Sequence, residues 1–112
     1  MNHVVLLVFG PVLIVIGILG FVIPERKAMT SGAAPYNLFH IAFGVLGTSI
    51  ALTGSNGLIR AFVIGFGAID LYQAVASRAA LFPKRQFRWK PADDVLHVAV
   101  GAALVLIGVA GS

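Results

Sequence analysis

Few side chains in this chain can do chemistry, and two histidines lead them. His40 stands in Tyr36-Asn37-Leu38-Phe39-His40-Ile41-Ala42-Phe43-Gly44, and His97 in a looser rewriting of it, Asp93-Asp94-Val95-Leu96-His97-Val98-Ala99-Val100-Gly101, 57 residues later. Each histidine is followed at the fourth position by a glycine, Gly44 and Gly101. Two neutral imidazoles on two helices are the minimum set for axial ligation of haem b, and one alone suffices for a chlorophyll-type pigment. The small residues continuing each face let either a flat ligand or a neighbouring backbone come close. In the plainer reading each imidazole hydrogen-bonds a loop carbonyl, Asn37 or Asp94 and fixes a helix entrance. Zinc and di-iron sites are disfavoured, because the Glu-x-x-His carboxylates they use are missing.

A second polar group lies at Asp70, Gln73 and Ser77, spaced by three and four so that all fall on one side of a helix. An ionised carboxylate in mid-bilayer costs several kcal/mol, so Asp70 is expected to be protonated, paired or facing a wet interior. Thr48 reaches a similar depth. A hydrogen bond from Asp70 to Thr48 or Ser49 would tie two helices together, whereas a relay through Asp70, Gln73 and Ser77 toward His97 would make a minor proton or solute pathway. The third group is the loop containing Lys84, Arg85, Arg88, Trp89 and Lys90. Cations mixed with aromatics also suit single-stranded nucleic acid. Beside apolar segments, however, they fit lipid headgroups and the interfacial aromatic belt, or a docking partner, so no nucleic acid is expected.

The elements that position these residues follow from composition. Of 112 residues 59% are hydrophobic and 11% charged, with mean hydropathy +0.98, too apolar for a water-soluble domain of this size. A hydrocarbon core of ~30 Å needs about 20 helical residues, so the chain has room for roughly four spans. They are expected at about 4–23, 37–53, 61–81 and 94–110. The first is read as a retained span, since no basic residue precedes it and no small-x-small cleavage site follows. With no cysteine, thiolate chemistry and disulfides are excluded. The tight turn Gly54-Ser55-Asn56-Gly57 joins the second and third spans. Asn37 and Asp94 are expected as helix caps, which would place His40 and His97 about one turn, or ~5 Å, inside. There they would face each other across the bundle.

The offset of 57 extends to Phe9-Gly10 with Phe66-Gly67 and to Gly54-Ser55 with Gly111-Ser112. The expected architecture is therefore an all-α integral membrane four-helix bundle of two tandem-repeated hairpins, about 1–55 and 58–112, in one transmembrane domain. Arg26, Lys27, Arg78, Lys84, Arg85, Arg88 and Lys90 lie at the loops after the first and third spans, while only Arg60 lies at the other end. Retention of basic loops in the cytoplasm then puts both termini outside.

Gly20-Phe21-Val22-Ile23-Pro24, Asn37-x-x-His40-x-x-x-Gly44 and Ala92-Asp93-x-x-Leu96-His97-x-x-x-Gly101 resemble the family of small bacterial membrane proteins known as domain of unknown function 4383. That resemblance implies four helices in the bacterial inner membrane and no assigned activity; Asp70 and the Lys84 to Lys90 loop depart from its pattern. The sequence carries no nucleophile elbow, phosphate loop or carboxylate pair, so the chain is expected not to be an enzyme. The first expectation is a structural or accessory subunit packed against other subunits or a second copy. A haem or pigment protein, and the Asp70 pathway, are the alternatives.

Overall fold

The structure is a computed structural model and describes residues 2–24, 31–82 and 87–110. Among the described residues the secondary structure is helical throughout, with no strand. The four helices are α1 (Asn2–Val22), α2 (Ala34–Thr53), α3 (Asn56–Ala79) and α4 (Pro91–Ala110). Each is long and apolar enough to cross a membrane by length and composition.

The helix boundaries correct the sequence expectation in two places. Asn37 and Asp94 do not cap: α2 and α4 each begin three residues earlier, at Ala34 and Pro91. Proline is tolerated in a first turn, where an amide hydrogen has no intrahelical acceptor to lose. Asp93 does the capping work instead, its Oδ2 accepting from Lys90 N at 2.8 Å, the returning half of a capping box. His40 and His97 consequently lie about two turns, or ~9 Å, inside their helices rather than one. In α3 the Ser55 hydroxyl caps Leu58 N at 3.2 Å, so the helix takes in Asn56 and Gly57, and Gly54-Ser55 alone makes the connection. Its other end closes at Ala80, held at φ 57°, with Leu81 N reaching back to Ala76 O at 2.9 Å.

The helices pack as two hairpins, α1 with α2 and α3 with α4. Glycine sets the approach within each. A Cβ placed on Gly44 would come within 2.7 Å of Gly10 O, and one on Gly101 within 2.8 Å of Gly67 O, so both crossings bring backbone onto backbone. Those two glycine pairs are themselves 57 residues apart. The buried face obeys the same offset: Tyr36, Asn37, His40, Gly44, Gly47 and Ala51 of α2 answer to Asp93, Asp94, His97, Gly101, Leu104 and Gly108 of α4. So do the free carbonyls at the far ends, where His3 Nε2 donates to Ala51 O at 2.9 Å and Arg60 Nε donates to Gly108 O at 2.7 Å.

The hairpins meet through α3. Phe66 sits among Phe9, Phe39, Phe43 and Phe62, with ring centroids 5.4 to 5.9 Å away, over a core of Leu6, Leu13, Ile59, Val63 and Leu104. Large apolar side chains such as Val8, Phe21, Leu52, Val75, Val95 and Leu106 point outward, while Asn37, Asp70, Gln73, Ser77, Asp93 and both interhelical histidines are buried. Apolar outside and polar inside is the reverse of a soluble bundle.

Candidate functional site

At the Tyr36 end of the bundle, between the hairpins, lies a cavity of about 280 Å³ lined by His40, His97, Tyr36, Asn37, Asp70 and Asp93 on its polar side. Phe9, Leu13, Ile16, Phe66 and Val100 make its apolar side. Its outer wall includes Ile16 and Leu19 of α1, Ile23 just beyond it and Leu96 of α4, each between 42% and 49% exposed. The cavity is thus walled from the outside by four half-exposed aliphatic side chains.

The two histidines share this cavity. Tyr36 stands with both, its ring centroid 4.3 Å from that of His40 and 5.9 Å from that of His97. Its hydroxyl is 2.6 Å from His97 Nε2. The imidazole tautomer sets which of the two donates; where the phenol does, the imidazole proton is on Nδ1. That Nδ1 is buried without a partner, as is His40 Nδ1. Neither imidazole takes the loop carbonyl, Asn37 or Asp94 expected from sequence: Asn37 Nδ2 donates to Gly32 O at 3.0 Å, and Asp94 pairs with Arg78 at 3.3 Å. Gly44 and Gly101 lie against the neighbouring backbones of Gly10 and Gly67, so the space beside them is taken by helix rather than left for a flat ligand.

Asp70, Gln73 and Ser77 are buried together on α3, as their spacing predicts. The partner expected for Asp70 is not the one found. Gln73 Nε2 donates to Asp70 Oδ1 at 3.3 Å, while Ser49 Oγ donates to Val45 O at 2.8 Å. Thr48 is turned toward Gly10 of α1, and its hydroxyl is buried without a partner. The reason is angular: the glycine crossing fixes the rotation of α2, and Thr48 falls on the α1 side.

Trp89 also departs from expectation. It is 7% exposed, not spread at an interface, because its indole N–H donates to Gln73 Oε1 at 3.1 Å and its ring packs against Phe87 and His97 at 5.7 and 6.3 Å. Trp89, Gln73 and Asp70 so form one chain of hydrogen bonds ending at the cavity wall. Arg88 and Lys90 flank it; Lys84 and Arg85, expected at lipid or a partner, lie outside the described residues. The loops are joined by Asp93 Oδ2, which accepts Ser31 N at 2.7 Å, and by the Ser31 hydroxyl, which donates to Phe87 O.

Sequence reasoning missed Tyr36, Ser31 and Asp93 as parts of this arrangement. A signal was available, since Tyr36 and Asp93 open the two copies of the recurring stretch. No family model matches the chain, and no curated protein or solved structure is significantly similar to it.

Proposed function

We propose that this chain is a non-enzymatic, multi-pass protein of the bacterial inner membrane, made from two copies of one helical hairpin, that serves as an accessory subunit packing its outer faces against other membrane helices or a second copy. One observation carries the reading. Apart from Arg60 and Arg78 near the two ends of α3, the outward faces of the helices are dominated by aliphatic and aromatic side chains, while His40, His97, Asp70, Asn37 and Gln73 are turned inward and hydrogen-bonded or packed there. Such a surface is compatible with hydrocarbon and with other apolar helices and costs heavily in water. The recurrence of buried positions, glycine crossings and carbonyl caps at an offset of 57 supports duplication of one hairpin. Of the motifs that resemble domain of unknown function 4383, those around His40 and His97 fall on these recurring positions. Both termini outside and both basic loops in the cytoplasm follow from the distribution of lysine and arginine.

The test has two arms. Cysteines replacing Arg26 and Arg88 should react with a membrane-impermeant reagent only in inside-out vesicles; labelling from opposite sides defeats the duplicated threading. Extraction in mild detergent followed by size analysis should give a particle larger than one chain with its micelle, and a monodisperse single chain defeats the accessory role.

A further inference from the structure

We infer that the cavity between the hairpins is a binding site for a lipid-dissolved quinone, which enters sideways between α1 and α4 and presents its carbonyl oxygens to His40 and His97. The inference goes beyond the accessory role and rests only on the membrane placement proposed for the chain.

The polar end of the cavity calls for an acceptor. The site is proposed in the tautomer in which the Tyr36 hydroxyl donates to His97 Nε2, 2.6 Å away; the His97 proton is then on Nδ1, an atom that is buried and unpartnered. His40, 9% exposed, likewise has a buried nitrogen with no partner, and a neutral imidazole always carries one N–H. Buried donors left unmet are rare and costly, and an oxygen held between the rings relieves the cost. In the tautomers that put a proton on each of these open nitrogens, the two rings are donors lining one small cavity and suit a head with carbonyl oxygens.

Charge narrows the choice. Asp70 and Asp93 line the cavity, and among its described lining residues there is no lysine or arginine. A fatty-acid carboxylate or lipid phosphate would meet carboxyl groups and no counterion. A lipophilic cation would suit the carboxyls but offers the imidazole N–H groups nothing to donate to. The head is therefore uncharged and rich in acceptors, and the edge-on pair Phe9 and Phe66, 5.5 Å apart, gives it an aromatic wall.

Size and outlet settle the rest. About 280 Å³ is near the lower end of the ~300–1,000 Å³ of small-molecule sites, enough for a substituted ring and not for a long tail. The tail must leave, and the way out is past Ile16, Leu19 and Leu96, aliphatic side chains exposed on the outside of the bundle. In a bilayer that exit opens onto acyl chains.

Trp89 is the chain's single tryptophan, and its ring lies 6.3 Å from that of His97, so bound quinone should quench its fluorescence. The full chain in detergent micelles is titrated with decyl-ubiquinone. Saturable quenching is expected, weakened about tenfold in His97→Ala and in His40→Ala, the loss of roughly one hydrogen bond each. Excess 1-decanol, the tail without the carbonyls, should not relieve it. Leu96→Phe narrows the exit from an exposed position and should weaken binding while the thermal unfolding of the protein is unchanged; it decides the matter if the histidine variants fail to fold. Quenching that rises linearly without saturating, that is equal in wild type and Leu96→Phe, or that is displaced equally by decanol or by tetraphenylphosphonium, overturns the site. Because the titration needs neither orientation nor a partner, it can fail while the labelling of Arg26 and Arg88 succeeds, and the reverse.

Discussion

Replacing Gly44 by alanine tests whether the hairpins are held by backbone contact. The new Cβ would lie 2.7 Å from Gly10 O, 2.6 Å from Ile14 Cγ1 and 2.8 Å from Ile14 N. Carbon–oxygen contacts settle near ~3.3–3.6 Å, so α1 must retreat by roughly 0.6–0.9 Å along the whole crossing, since two of the three obstacles are backbone. Overpacking of this kind costs about 1–3 kcal/mol. Alanine also gains about 0.8–1 kcal/mol of helix propensity over glycine, which hides part of the effect. Gly65→Ala removes that ambiguity: it lies in α3 with nothing within 4 Å of its Cβ position, so it collects the propensity gain alone. The difference between the two variants is then the steric cost itself, about 1–3 kcal/mol or roughly a 5- to 150-fold difference in unfolding equilibrium. Unfolding of the detergent-solubilised protein by added sodium dodecyl sulfate, followed by circular dichroism, reads it directly. Gly101→Ala, facing Gly67 O at 2.8 Å, should behave like Gly44→Ala, and the double variant should be additive within about 0.5 kcal/mol because the crossings belong to different hairpins. If Gly44→Ala and Gly101→Ala are as stable as Gly65→Ala, the crossings are not built as described.

Tyr36→Phe removes the hydroxyl hydrogen-bonded to His97 Nε2, leaves both ring nitrogens of a buried imidazole unmet, and should cost about 1–3 kcal/mol in the same unfolding assay. Gln73→Leu takes the acceptor from the Trp89 indole and should shift the emission maximum of the only tryptophan to shorter wavelength; an unmoved spectrum would break the chain from Trp89 to Asp70. Arg60→Ala frees the carbonyls of Gly108 and Val109, held at 2.7 and 2.8 Å, and should speed amide exchange in the last turn of α4 with little effect on global unfolding, because Arg60 itself is exposed. Faster exchange spread over the whole bundle would contradict that local role.

Four apolar helices and the matched depth of His40 and His97 were legible because hydrophobic length and a recurring motif are one-dimensional signals. The rotation of each helix was not. Thr48 and Asp70 are level in sequence count, yet Thr48 looks at α1, because the close approach of Gly10 to Gly44 fixes which side of α2 faces which neighbour. Trp89 was read as an interfacial side chain from its basic neighbours, and what buries it is a hydrogen bond to Gln73 sixteen residues back. The second and fourth spans were expected to begin at about 37 and 94, beyond Pro35 and Pro91, whereas each proline sits in a first turn where its ring is compatible with the helix.

The positions related by 57 residues divide into two sets, and the division explains the cavity. Phe9 and Phe66, Gly10 and Gly67, His40 and His97, and Gly44 and Gly101 keep their identity; they make the crossings, the aromatic wall and the paired imidazoles. Leu13 answers to Asp70, Ile16 to Gln73, Gly20 to Ser77 and Tyr36 to Asp93, and of these eight side chains Leu13, Ile16, Gly20, Tyr36, Asp70 and Asp93 line the cavity. A strictly repeated hairpin would give a symmetric hole, polar or apolar on both sides alike. The differences at these four pairs make the α1 wall apolar and the α3 wall polar, with Tyr36 from α2 beside His97. An asymmetric cavity of that kind selects for an asymmetric occupant, one with a hydrogen-bonding head and an apolar body, and it does so without disturbing the glycines that hold each hairpin closed. Restoring symmetry by Asp70→Leu should therefore keep the four-helix fold at a cost of about 1–3 kcal/mol for the buried Gln73 Nε2 left without its acceptor, while removing the polar wall against which the head is placed.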